Sequence, residues 1–217
     1  MPPATVSSTL DIVEYYVQDA SPVKSDSPNG YIERFIHSEI YKKYPDVKSV
    51  VHSHAHAVVP YSISGVPLRP CIHMAGFLGN PVPNFDILKF YEKDGIHDLL
   101  IRTQQLGQKL AEHFATETDN ASQSVVLMRG HGFTAVGSSI PECVLRAIYT
   151  IENAKVQSSA LSLRATSPAA SGATHDIQYL DQTELKGAKE MTQWSYMRPW
   201  TLWTKEVETS RLYVNSA

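Results

Sequence analysis

The feature that most constrains this chain is a valine-rich run, Val47 to Val51, that passes directly into His52-Ser53-His54-Ala55-His56. Side chains of a strand point alternately to opposite faces, so His52, His54 and His56 would share one face, with Ser53 and Ala55 on the other. Imidazoles two residues apart on one face can reach a single divalent ion through their ring nitrogens, which suit zinc, iron, manganese or cobalt. Strand twist and the break at Pro60 should leave two of them on the ion and turn the third to the rim. The competing reading is a set of half-buried histidines satisfied by hydrogen bonds. Against it, three of the nine histidines fall within five residues.

The chain has 217 residues, 42% of them hydrophobic and 19% charged, enough for one substantial core in a single domain over 1–217. A net charge of -3 and a pI near 6.3 give no basic field, which argues against nucleic acid as a partner. No apolar stretch is long enough to span a bilayer, and the opening MPPATVSSTLD has neither a basic start nor an apolar signal core, so the expected address is cytoplasmic. Cys71 and Cys143 form no CxxC or framework pattern and read as free, largely buried thiols.

Along the chain, Asp11–Val17 reads as a short strand and 20–30 as a loop rich in turn formers. Over Tyr31–Tyr44, Ile32, Phe35, Ile36, Ile40 and Tyr41 follow helical spacing, which places Glu33 in a first turn whose electrostatics favour a carboxylate. Pro45 and Asp46 end that helix, and Val47–His52 forms the histidine-bearing strand. After a short helix or extended piece over 61–70, Cys71–Leu78 reads as a strand and Val82–Ile87 as a further extended segment. Ile101–Phe114 reads as a helix and Ser124–Met128 as a core strand. That strand runs into Arg129-Gly130-His131-Gly132, where glycines let the backbone turn tightly and carry the ring close to the sheet. Ser139-Ile140-Pro141-Glu142 has the form of a helix start, opening a helix to about Leu163. Residues 166–174 read as a loop, Thr183–Met191 as a helix, and 166–217 as a whole as a helical tail rich in aromatics. Its Trp194, Tyr196, Trp200 and Trp203 would pack a last helix on the core or line a site or subunit interface.

Glu33, His52, His54 and His131 are the groups that would hold the ion: two histidines from one strand, one from a glycine-bounded turn, and a carboxylate. Such a set leaves a position open to substrate, where the ion would stabilise developing oxygen charge while the carboxylate handles a proton. These residues alone leave hydrolase, isomerase, lyase and oxygenase chemistry all open.

At these positions the chain resembles the class II aldolase/adducin superfamily over roughly Tyr31 to Leu163, through Glu33-Arg34-Phe35-Ile36-His37, Val51-His52-Ser53-His54 and Arg129-Gly130-His131-Gly132. The resemblance implies a three-layer α/β fold with a mostly antiparallel sheet between helices, assembled as a homotetramer with sites at subunit interfaces. It implies one divalent ion per subunit, zinc first and manganese, iron or cobalt as alternatives, on His52, His54 and His131. Glu33 would be both ligand and acid/base, and His56 a neighbour rather than a ligand. Sugar-phosphate members carry a serine pair just before the glutamate, where this chain has Tyr31 and Ile32, so phosphate recognition is not expected. Residues 1–30 read as a shortened N-terminal segment. Val66-Pro67-Leu68-Arg69-Pro70, His73-Met74-Ala75-Gly76-Phe77 and Met128-Arg129-Gly130-His131-Gly132 are similar to the branch that includes dihydroxyphthalate decarboxylases. That likeness implies a small-molecule hydroxylated aromatic acid as substrate, His73 as proton donor to the ring carbon, and Arg69 or Arg129 as the cation that holds a carboxylate. Retro-aldol cleavage, epimerisation and a metal-free adducin-like scaffold are the alternatives the same resemblance leaves.

Overall fold

A computed structural model of the chain describes residues 5–27, 30–115, 121–166 and 176–216. In order, its regular elements are α1 (Arg34–Lys43), β1 (Ser49–Ser53), α2 (Val59–Ile63), β2 (Asn84–Phe85), α3 (Gln104–Glu112), β3 (Val125–Met128), β4 (Gly132–Gly137), α4 (Ile140–Thr166), α5 (Gln182–Ser195) and α6 (Met197–Thr209). Single 3-10 turns occur at Thr9–Asp11, His73–Ala75 and Ile87–Phe90.

The strands form a sheet in the order β1-β4-β3-β2. β1 pairs antiparallel with β4 and β4 with β3, while β2 joins β3 in parallel. Alternation along the strands sends side chains to two cores. Val50, Val126, Met128 and Val136 meet Ile36 and Ile40 of α1 and Leu106, Leu110 and Ala111 of α3 on one face. Val125, Leu127, Phe133 and Ala135 meet Val58, the N-cap of α2, Tyr61 of α2 and Cys143, Leu145 and Ala154 of α4 on the other. The result is the expected α/β three-layer arrangement. Each fully buried Ile or Leu in these layers contributes about 1.5–3 kcal/mol through area removed from water. The helix α1 is tied to α3 by the Tyr44 hydroxyl, which donates to the Ala111 carbonyl at 2.7 Å. Its end is favoured by Lys42 and Lys43 in the last turn.

Three local expectations are corrected. Asp11–Val17 is not a strand: Asp11 closes a capping box with Ser8, and beyond it a lone bridge joins Tyr15 to Pro22. Cys71–Leu78 is not a strand either, because the chain coils into the His73–Ala75 turn, where Gly76 lies against Ala188 and Lys189 of α5. Gly132, expected in the tight turn, instead opens a strand: Gly132–Gly137 is β4, buried throughout, lying between β1 and β3. The loop expected over 166–174 lies, after Thr166, outside the described residues.

Both cysteines are free thiols, Cys143 buried and Cys71 half-buried. Among the described residues no helix is long and apolar enough to cross a membrane. In the C-terminal part, Tyr196 and Trp203 pack against the α4 side of the sheet. Trp194 stands in solvent with the Arg198 guanidinium near its ring, and α6 buries no residue completely.

Candidate metal centre

Four residues from three separate parts of the chain meet at the end of β1. His52 is on the strand, opposite Thr134 of β4, and its ring points to the same face as Val50, toward α1. Glu33 is the N-cap residue of α1 rather than part of its first turn, and its side chain makes no capping bond. The carboxylate is therefore free to face the sheet, where it is 1% exposed. His54 lies past the last residue of β1, so its ring reaches the cluster from beyond the strand end. It is the open member, with a side chain 57% exposed against 4% for His52 and 7% for His131.

The turn joining β3 to β4 positions His131. Gly130 has φ +67, in the left-handed region that favours glycine, and the His131 N–H donates to the Met128 carbonyl at 3.0 Å. Next to it, a Cβ on Gly132 would fall 2.0 Å from the Ser53 carbonyl oxygen. This close approach lays the turn against the end of β1 and brings the three rings together.

The ring nitrogens converge. His54 Nε2 is 2.9 Å from His52 Nε2 and 2.8 Å from His131 Nε2. Glu33 Oε2 is 3.5 Å from His52 Nε2 and 3.8 Å from His54 Nε2, and Oε1 is 3.6 Å from His131 Nε2. One donor atom from each of the four residues lies within 4.8 Å of all the others.

The donor set fits a divalent ion. His52 Nδ1 is 3.2 Å from the Phe133 carbonyl oxygen, which can only accept, so Nδ1 carries the proton and Nε2 presents a bare lone pair to the cluster. Thr134 Oγ1 at 3.3 Å supports the same ring orientation. His54 Nε2 cannot donate to both neighbouring nitrogens with one proton, whereas a cation shared by the three Nε2 lone pairs and the carboxylate gives each of these four donors a partner. Burial holds the His131 pKa below its ordinary value, against the pull of the Glu33 charge, and so favours the neutral ring that a metal requires. For Glu33, burial pushes the carboxyl up. The His52 hydrogen bond and charge, the His131 charge and the Ile101 N–H together outweigh it and hold the pKa at about 2.

Two contacts on Glu33 had no equivalent in the sequence reading. The Ile101 N–H donates to Oε1 at 3.2 Å, and the Tyr31 hydroxyl donates to Oε2 at 3.0 Å. The first depends on the turn before α3, where Leu99 takes φ +68 and its N–H donates to the Tyr91 hydroxyl at 2.7 Å. Such a conformation costs a non-glycine residue on the order of 1 kcal/mol or more, and it aims a main-chain donor that carries no residue signature.

The other expected site residues lie elsewhere. His56, expected as a neighbour rather than a ligand, is exposed in the turn after β1 and outside the cluster. His73 is exposed in the 3-10 turn packed beside α4 and α5, on the sheet face opposite α1. Arg69 donates through Nε to Asn80, and its guanidinium lies 4.1 Å from the centre of the Tyr179 ring. Arg129, next to the His131 turn, is paired with Asp86.

Residues 5–158 match the family described as the Class II Aldolase and Adducin N-terminal domain. The chain is 61% identical over 217 residues to a Talaromyces stipitatus protein named Decarboxylase tropJ, covering 99% of this chain and 82% of that protein. It is 30% identical over 150 residues to the 3,4-dihydroxyphthalate decarboxylase of Arthrobacter keyseri, covering 69% of this chain and about half of that protein, 53%. In three dimensions it resembles an aldolase II superfamily protein from Pseudomonas syringae, with a TM-score of 0.63 at 18% identity, over 92% of this chain and 72% of the other. At that identity the likeness is one of fold.

Proposed function

From the premise that the chain belongs to the class II aldolase and adducin family, we propose that it is a divalent-metal-dependent carbon–carbon lyase that releases carbon dioxide from a hydroxylated aromatic acid. The observation that carries this reading is the cluster of Glu33, His52, His54 and His131, which pairs a buried carboxylate with three imidazoles beside an open edge at His54. The decarboxylase names of the Talaromyces and Arthrobacter relatives support the reaction class.

In this reading His52, His54 and His131 hold the ion together with Glu33. A bound divalent cation supplies Lewis acidity, drawing electron density toward oxygens that adjacent hydroxyls offer. Glu33 carries the proton chemistry: its carboxylate, ionised at rest, takes up a proton and passes it to the carbon that loses its carboxylate. The Ile101 N–H holds Oε1 and so restricts which oxygen transfers the proton. His52 is kept in its ligating tautomer by Phe133 and Thr134. Substrate carboxylate recognition falls to Arg129, which would exchange Asp86 for it, or to Arg69. His73 would serve as a proton donor only by reaching the site of a neighbouring subunit. The remaining assignments are zinc as the resident ion, a single domain, a homotetramer and a cytoplasmic address.

The test is an assay of purified protein loaded in turn with zinc, manganese, cobalt and iron(II), with 3,4-dihydroxyphthalate and simpler catechol carboxylic acids as probes. Carbon dioxide release that requires the ion and is lost in Glu33→Gln is the expected result. Cleavage of hydroxy-carbonyl phosphates to two carbonyl fragments, without carbon dioxide from any aromatic acid, would reassign the protein to aldol chemistry.

A further inference from the structure

Three successive main-chain N–H groups ahead of α3 each end on a side chain. The Leu99 N–H donates to the Tyr91 hydroxyl at 2.7 Å, the Leu100 N–H to Asp98 Oδ1 at 3.1 Å and the Ile101 N–H to Glu33 Oε1 at 3.2 Å. Asp98 is fastened within the turn itself, by its ion pair with Arg102. Tyr91 reaches in from eight residues back. Its ring is stacked on that of His97, with centroids 4.3 Å apart and planes 10° from parallel, which fixes where the hydroxyl points.

The group that Tyr91 holds is the one that would otherwise move. Leu99 takes φ +68, a conformation that a leucine keeps only where its surroundings impose it. Return of Leu99 to negative φ would swing the chain that follows, and the Ile101 N–H lies two residues along. The Ile101 side chain is fully buried in the core between α1 and α3, so the turn is left to set the direction of its amide. The same turn borders the loop that carries His131: a methyl added to Gly130 would lie 3.4 Å from Leu99 Cδ1.

We propose that Tyr91 is a positioning residue for the metal centre. By accepting the Leu99 N–H it keeps Leu99 left-handed, and so aims the Ile101 N–H at Glu33 Oε1. Tyr91 is not one of the four clustered residues and acts on them through main-chain groups alone. The role concerns where the Glu33 carboxylate sits. It therefore goes beyond the reaction assigned above and holds for metal-free protein as for loaded protein.

The experiment is a double-mutant cycle on metal-free protein whose isoleucines are enriched in nitrogen-15. It reads the Ile101 amide proton, assigned as the signal lost in Ile101→Val. A hydrogen bond to a carboxylate moves that proton downfield. Tyr91→Phe keeps the ring and its stack but removes the acceptor, and should move the signal upfield, in the direction that Glu33→Gln moves it. Leu99→Gly removes the steric cost of the left-handed conformation, so in that background Tyr91→Phe should move the signal much less. Titration with cobalt(II) should follow the same pattern, with affinity lowered about tenfold by Tyr91→Phe alone and less than about twofold when it is added to Leu99→Gly. An unmoved Ile101 signal, wild-type cobalt affinity in Tyr91→Phe, or equal effects in the two backgrounds would each overturn the proposal. Displacement of isoleucine amides throughout the protein would overturn it as well, by making Tyr91 a support of the fold at large. None of these readouts involves carbon dioxide, so a wild type that decarboxylates nothing would remove the reaction assigned above and leave the role of Tyr91 to be decided by the cycle.

Discussion

His52 Nδ1 lies 3.2 Å from the carbonyl oxygen of Phe133, the residue that pairs with Ser53 across β1 and β4. One strand therefore supplies the ligand, and its neighbour fixes the ligand's tautomer through a main-chain group. Removing the ring at His52 cuts the set of four donors to three, two imidazoles and the Glu33 carboxylate. His52→Ala is expected to weaken zinc binding by more than about 100-fold and to abolish turnover. Metal analysis after dialysis checks this, and full occupancy in the variant would refute the ligand assignment.

Glu33 differs because it has both a ligating and a proton-handling role in the proposed reaction. Glu33→Gln keeps the three imidazoles and the volume of the side chain but loses the charge and the acid. The variant should retain part of its metal while turnover falls by about 10²–10⁴. Metal content and kcat measured on one preparation separate the two roles, and a proportional loss of both would assign Glu33 to ligation alone.

The pH dependence of stability gives a third test, through His37, one turn along α1 from Glu33. Burial is the main cause of its lowered pKa, the His52 charge adds to it, and the Glu33 charge opposes it, for a value of about 4 against the ordinary 6.5. Below pH 6.5 the unfolded chain takes up a proton that the folded chain refuses until about pH 4. The stabilisation from a neutral His37 is thus complete above 6.5 and is lost as pH falls from 6.5 toward 4. The size is on the order of 2 kcal/mol, after allowance for its partial exposure. Denaturant unfolding of metal-free protein at several pH values should show a shallower decline over this window in His37→Gln than in wild type. Parallel curves would place the titration elsewhere.

The alternation rule made His52 legible as an inward-facing residue, and the resemblance carried by Glu33-Arg34-Phe35-Ile36-His37 implied that the carboxylate belongs to the same site. Alternation also put His54 beside His52, although β1 ends at Ser53 and the His54 ring reaches the cluster from beyond the strand end. The strand β4 was hidden because Gly132 reads as a turn residue, when in fact it is small to admit the Ser53 carbonyl. Main-chain donors have no sequence signature, so the Ile101 contact was invisible. Tyr31 was legible only as a residue unsuited to phosphate, since its hydroxyl contact depends on Glu33 leaving the helix cap unmade. Cys71–Leu78 has the composition of a strand, but its packing on α5 depends on residues more than a hundred positions away.

Gly132 offers the most direct test of how the fold positions the ions' ligands. A methyl group at this position would sit 2.0 Å from the Ser53 carbonyl oxygen and 3.0 Å from the His54 Cα, both main-chain atoms that cannot rotate aside. Gly132→Ala must therefore separate the start of β4 from the end of β1. That movement draws His131 away from His52 and His54, whose Nε2 atoms now lie at contact distance, while leaving every ligand side chain in the sequence. The strain of overpacking is expected to cost about 1–3 kcal/mol of stability. Metal affinity should fall at least tenfold, because ligand geometry is lost even though ligand number is not. Gly187→Ala, where the added methyl meets nothing within 4 Å outside its own helix, is the control: it should leave zinc affinity near wild type and raise stability by about 0.5–1 kcal/mol if it changes it. Titration with zinc followed by thermal unfolding of the two variants measures both effects. A Gly132→Ala protein that binds zinc as wild type does would mean that the turn between β3 and β4 does not set the ligand geometry.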